Sequence, residues 1–246
     1  MFLGSNIHVG NMSRYGSGGV SREAGRHTIT ANGDAQLDGD GSVTLNGTNA
    51  YLSAPNSDDW NLGTQDFTWE GYINTDRLTG ANQVILNSEI SSTAVRGLTL
   101  QTGSSDGLKY TSYTGNWAAE INMSQGGQIG LSASTWIHIA CSKTDSVYKA
   151  FIDGIETITT TDSDSQDDGI NMIVGAIKYG ATVEDYFVGK MSRIICSNGI
   201  GRYTTNFTPA ARTDAIVIDE YVKFAPDLSG SIGSTTIPDL AWKDEV

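Results

Sequence analysis

Positive charge is scarce in this chain. Its 246 residues carry 15 Lys and Arg against 28 Asp and Glu, a formal net charge of −13. Nucleic-acid binding depends on clustered basic side chains that neutralise phosphates, and an anionic membrane surface asks for the same, so both partner classes are disfavoured. Long apolar runs are also missing. The longest are short, such as Ile170-Asn171-Met172-Ile173-Val174, and no window reaches the about 18 uncharged apolar residues of a membrane-spanning helix. The first ten residues, MFLGSNIHVG, have neither the basic start nor the apolar stretch of a secretory signal. There are two cysteines, Cys141 and Cys196, each inside an alternating apolar segment. They read as reduced, buried thiols acting as small hydrophobes. A disulfide would need their strands to be neighbours with matching geometry, and nothing here demands an oxidising compartment. No stretch carries a 3.6-residue apolar period, so helices should be few.

What is present points to β-structure. Gly supplies 29 residues, roughly double average usage, while Pro supplies only 4. With Trp 5, Tyr 10 and Phe 6, the chain is too aromatic for disorder. From residue 41 to about 208 the apolar period is near 2. Phe67, Trp69, Gly71 and Ile73 fall on one side of a segment, with Thr68, Glu70 and Tyr72 on the other. Ile137, Ile139 and Cys141 alternate in the same way with His138, Ala140 and Ser142. Such alternation marks half-buried strands of packed sheets. Turn signals recur between them, among them Asn46-Gly47, Gly126-Gly127, Asp153-Gly154 and Asn198-Gly199, a rhythm that favours a sandwich over a βαβ layout. The clearest hairpin runs from Val147–Ile152 through Asp153-Gly154 into Ile155–Thr159, because Asp-Gly tolerates the two positive φ values of a type I′ turn. The predicted fold is all-β, a two-sheet antiparallel sandwich.

Three regions follow from composition. Residues 1–40 are rich in Gly, Ser and Asn, with an apolar start (Phe2, Leu3, Ile7) and three arginines, Arg14, Arg22 and Arg26. They read as an extended arm that docks along a partner through those six residues. On that reading, removing residues 1–30 should leave a folded domain. Residues 41–210 form the sandwich. Residues 211–246, with candidate strands Ala215–Ile218 and Tyr221–Phe224, complete a sheet edge or dock on a neighbour.

Several segments resemble a known family. GSVTLNGTNAYLSAPNSDDWNLGTQDFTWEGYI (residues 41–73) is similar to the opening of laminin-G-like, concanavalin-A-type jelly-roll domains. Trp136–Ala140 with Tyr148–Gly154 resembles the family's central hairpin, and Val174-Gly175 with Phe187–Ile194 resembles its closing strands. The stretch Gly201-Arg202-Tyr203-Thr204-Thr205-Asn206-Phe207-Thr208-Pro209 resembles an ending common to such domains in virion proteins of tailed bacteriophages. The resemblance implies a concanavalin A-like jelly roll and a place in a tail fibre or capsid decoration.

Chemistry is thinly signalled. Glucanases that resemble this fold carry carboxylates at alternate strand positions, so that two acids meet on one face. Here Glu184 and Asp185 are adjacent and Glu70 stands alone. No Gly-x-Ser-x-Gly elbow accompanies His8, His27 and His138, and His138 reads as structural. No catalytic residue is assigned. Asp162, Asp164, Asp167 and Asp168 cluster after the hairpin. The first three are weak candidates for calcium, which takes several oxygen ligands; a solvated acidic loop is the plainer reading of them. Tyr110, Tyr113 and Trp117 are candidates for stacking on sugar or a partner, although on one strand Tyr110 and Tyr113 would face opposite ways. The expected function is a non-enzymatic virion surface protein, a head decoration or tail appendage. It would assemble in the host bacterial cytoplasm, in several copies, against other capsid or tail proteins, displaying an adhesion module without nucleic acid or membrane insertion. The alternatives are a receptor-recognition lectin for a host surface glycan and a polysaccharide-degrading glycosidase.

Overall fold

The computed structural model describes residues 25–77, 82–91, 94–101, 107–112, 120–122, 132–162 and 169–242, together with the backbone of Arg14–Tyr15 and Ser21–Arg22. In chain order the strands begin with β1 (Arg14–Tyr15), β2 (Ser21–Arg22), β3 (Ile29–Asn32), β4 (Gln36–Leu37), β5 (Val43–Asn46), β6 (Tyr51–Ala54), β7 (Phe67–Thr75), β8 (Gln83–Ser91), β9 (Ala94–Gln101) and β10 (Gly107–Ser112). They continue with β11 (Glu120–Asn122), β12 (Ile137–Thr144), β13 (Val147–Ile152), β14 (Ile155–Thr161), β15 (Asn171–Val174), β16 (Ile177–Tyr179), β17 (Thr182–Glu184), β18 (Val188–Asn198), β19 (Val222–Phe224) and β20 (Thr236–Ile237). Among the described residues the only helical element is a 3-10 turn, Asp58–Trp60.

Two large antiparallel sheets face each other. One runs β11-β10-β9-β8-β15-β6-β3-β20, and the other runs β14-β13-β12-β7-β18-β5-β4, with β19 paired to β18. Alternation explains why. In β7, Phe67, Trp69, Gly71 and Ile73 are buried while Glu70, Tyr72 and Asn74 are only half-buried. The inward residues meet those of the facing sheet, Leu52, Leu86, Met172 and Val174 among them, in one continuous core. Each large apolar side chain so buried contributes about 1.5–3 kcal/mol.

Trp69 stands opposite Cys141 on one neighbouring strand and opposite Cys196 on the other. The two thiols are therefore two strand spacings apart, about 9.6 Å, beyond the about 7 Å limit for a disulfide. Both are buried and free, and burial pushes each thiol well above its ordinary range.

The expected hairpin is present, with φ +49° at Asp153 and +76° at Gly154. The preceding β12–β13 hairpin turns through Asp145 (φ +52°) and Ser146 (φ +75°), two positive φ values without a glycine.

The N-terminal boundary needs correcting. Residues 29–40 belong to the sandwich, not to an arm. β3 pairs with β6, β4 pairs with β5, and Leu37 is fully buried. β4, with two residues, is too short to show a period, and Ile29 and Leu37 both add apolar area to the core. At the other end, β19 and β20 complete one sheet each. Ala215–Ile218 is not a strand: Val217 is 81% exposed, while Ile216 and Ile218 pack against a small satellite of Ile195, Val222, Ala225 and Ala241.

Candidate ligand-binding groove

The outer face of the β8-β15-β6-β3 region carries a groove of about 400 Å³. Strand alternation builds it. In β6, Leu52 and Ala54 enter the core, so Tyr51 and Ser53 face outward. Register then places Thr30 of β3, Ser53 of β6, Ile173 of β15 and Asn87 of β8 in one row across four strands. Ile173 makes the floor, with Tyr51, Thr28, Thr30 and Ser53 around it. The ring of Tyr51 lies 6.2 Å, centroid to centroid, from that of Tyr186.

One wall is the β16–β17 hairpin, folded back over the sheet. Ile177 packs on Val84 outside the main core, and Asn87 Nδ2 donates to the Ala176 carbonyl. The third tie is Glu89, whose side chain is 5% exposed. Its Oε2 accepts from Lys178 Nζ at 2.9 Å and Asn171 Nδ2 at 2.7 Å, and its Oε1 from the Gly180 N–H at 3.0 Å. Lys178 and Asn171 both line the groove. A second depression, about 470 Å³, adjoins the first through Thr28 and Thr30 and reaches Thr236 and Asp239.

The segment that bounds this second depression is held by buried carboxylates. Asp59 is paired with Arg26 (Nη2–Oδ1 2.6 Å) and lies 2.8 Å from His27 Nε2. Burial pushes its carboxyl up, but His27 and Arg26 outweigh that and hold it well below the usual carboxylate range. Asp239 accepts the N–H groups of His27, Ala225 and Ala241, while burial pushes its carboxyl upward.

The outer face of the other sheet is covered. Residues 199–214 lie across it as a strap. Thr68 Oγ1 accepts from the Arg202 N–H, and Ser142 Oγ from that of Tyr203. Tyr203 donates its hydroxyl to Glu70 Oε2 at 2.8 Å, the atom that also lies 3.0 Å from His138 Nε2. Tyr203 and Phe207 stack at 3.6 Å, and Phe207 meets Phe151 and His138 edge-on. Arg202 makes a two-pronged ion pair with Asp219. Glu70 and His138 are thereby structural groups under the strap.

The residues singled out from sequence fall elsewhere. Tyr110 is not a sugar platform: it is fully buried among Phe67, Trp69 and Tyr148. Tyr113 and Trp117 lie outside the described residues, as do Phe2, Leu3 and Ile7. Arg14 and Arg22 stand opposite each other on the β1–β2 ribbon. Arg26 is no docking group, because its guanidinium is engaged by Asp59 and the Trp242 carbonyl. Asp162 is near Lys143, a buried lysine that donates to the Thr64 and Gln65 carbonyls. Burial pulls that ammonium down, and Asp66 and Asp162 counter the pull. Asp164 and Asp167 lie outside the described residues, and the described residues contain no group of three or more metal-ligating side chains. Tyr51, Glu89, Asn171 and Lys178 were missed. Tyr51 was available from the alternation of Tyr51–Ala54, and Glu89 as a lone carboxylate in an apolar strand.

The profile of the concanavalin A-like lectin/glucanases superfamily matches residues 46–197, more than half of the chain, and the protein belongs to that family. No curated protein matches the sequence. Among solved structures, it is similar to domain 4 of AbnA, an extracellular arabinanase from Geobacillus stearothermophilus, in complex with arabinotriose (17% identity, 70% of this chain and 82% of that one, TM-score 0.53). It is also similar to the botulinum neurotoxin serotype G binding domain (13% identity, 78% of this chain and 47% of that one, TM-score 0.54). A third likeness, to a Bacteroides ovatus protein proposed to bind carbohydrate, covers 87% of this chain and 58% of that one at 17% identity and TM-score 0.50. At these identities the likeness is one of fold, and the chain spans about half the length of the last two.

Proposed function

We propose that this chain is a non-catalytic adhesion module that binds glycan in the groove over β15, β6 and β3. The observation that carries this reading is the chemistry of the lining. An aromatic ring, Tyr51, stands beside the hydroxyls of Thr28, Thr30 and Ser53, the amide of Asn171 and the ammonium of Lys178. Sugars stack their apolar faces on aromatic rings and bond through their hydroxyls, and such sites are concave with a few placed polar groups. The arabinotriose held by the similar arabinanase domain supports the same direction. Hydrolysis with retention needs two carboxyl groups about 5–5.5 Å apart. The described residues lining the main groove include none, and Glu89 beneath its wall is engaged by three donors.

The setting comes from the resemblance of Gly201–Pro209 to virion proteins: the surface of a tailed phage, as head decoration or tail appendage, in several copies beside other virion proteins. Calcium is a proposed ligand of Asp162, Asp164 and Asp167. A printed glycan array probed with the full chain, with and without EDTA, tests the binding function. Binding to any glycan that Tyr51→Ala abolishes supports it, and no binding under either condition rejects it. Mass spectrometry of purified phage particles tests the setting, which fails if the chain is absent from them. Truncation tests of docking should stop at residue 24, because removal of residues 1–30 also deletes Arg26 and the start of β3.

A further inference from the structure

Resting on the reading of the groove as a sugar site, we infer that its ligand is an uncharged stretch of glycan, and that Glu89 sets this selectivity by neutralising Lys178. Among the described residues lining the groove over β15, β6 and β3, Lys178 carries the one formal charge; the polar side chains around it are Thr28, Thr30, Tyr51, Ser53 and Asn171. Its ammonium sits 2.9 Å from a carboxylate that is nearly removed from solvent. Charge-assisted bonds of this kind are short and strong, and a buried carboxylate left without its cation is costly, so the lysine is held in place.

The same Glu89 oxygen fixes Asn171, and the other fixes the backbone of the hairpin wall. One buried acid therefore positions two of the groups that face the ligand. The local charge sums to zero within a molecule of net charge −13. A uronate, sialate or sulfate entering here meets a cation already paired, within a field that repels it. A sugar hydroxyl meets neither penalty and can accept from the remaining N–H bonds of Lys178 and from Asn171.

The test is a glycan array of neutral, uronate-containing and sialylated glycans, read with the full chain at about 50 mM and about 500 mM NaCl, because screening weakens exposed charge attractions. The expected result is binding confined to neutral glycans and unchanged within about twofold across the salt range. Glu89→Gln keeps the shape but releases the lysine charge. It should weaken neutral binding by about tenfold and add salt-sensitive binding to uronates. A melting curve establishes that this variant is folded, and the salt series on the unaltered chain needs no variant. Preference of the unaltered chain for acidic glycans, or loss of its binding at high salt, overturns this inference while leaving the sugar site standing. An E89Q variant that binds as the unaltered chain does overturns the role of Glu89. Binding to no glycan at all overturns both readings.

Discussion

At single residues the fold carries identifiable strain and identifiable relief. Gly154 sits at φ +76°, and a Cβ there would come within 2.0 Å of the Phe207 carbonyl oxygen. Gly154→Ala should cost about 3 kcal/mol in urea unfolding, from the turn geometry and from displacement of the strap together. The equivalent position of the neighbouring hairpin is Ser146, at φ +75°. Ser146→Gly should stabilise by about 1 kcal/mol and raise the melting temperature by about 2–4 °C. Asp59 is the other informative residue. Asp59→Asn strips Arg26 of its buried partner and should cost about 3 kcal/mol at neutral pH. The folded-state carboxyl titrates lower than the unfolded one, so its contribution is complete above about pH 4 and is lost as pH falls below that. The deficit of D59N should accordingly shrink in acid, measured by urea unfolding from neutral pH downward.

At the scale of elements, the strap and the β16–β17 hairpin do parallel work on opposite faces. Each lies on the outside of a sheet and has a glutamate, Glu70 for the strap and Glu89 for the hairpin, among the groups that tie it there. The segment Gly201–Pro209, which lies beyond the family match at residues 46–197, is thus a covering element whose Tyr203 and Phe207 complete an aromatic layer. Tyr203→Phe removes a hydrogen bond to a carboxylate and should cost about 2 kcal/mol. Burial first, and then the Glu70 charge, push the Tyr203 hydroxyl above its ordinary range. An unfolded tyrosine ionises near pH 10 while the folded one keeps its proton. Tyr203 thus contributes its stability fully below about pH 10, and that contribution declines as pH rises further. Urea unfolding at alkaline pH should show a shallower decline for Y203F. An equally steep decline would remove Tyr203 from that account. The edges of the sandwich were the least legible elements. β4 and β20 have two residues each, too few to display alternation, and they exist because the four-residue strands β5 and β3 beside them supply their hydrogen-bond partners. Ala215–Ile218 failed in the opposite sense: four apolar residues in a row specify a strand only when a sheet edge is there to receive it.

For the whole molecule, the period-2 pattern and the Asp153-Gly154 turn made the sandwich readable from sequence, because a core between two sheets demands alternation along every long strand. The groove was much less readable. It arises from register, which brings Thr30, Ser53 and Ile173 together from three distant segments, and from a hairpin folded onto the outside of a sheet. Neither leaves a local signature. Aromatic content alone misled: Tyr110 and Tyr51 look alike in sequence, and only strand phase sends one into the core and the other to the groove. The central claim is that the face carrying Tyr51 recognises sugar. Isothermal titration of a glycan hit from the array against the unaltered chain and Tyr51→Ala tests it most directly. The account predicts one site per chain and an affinity at least about tenfold weaker in the variant, with folding intact. Equal affinity in the two proteins would place the binding elsewhere and contradict it.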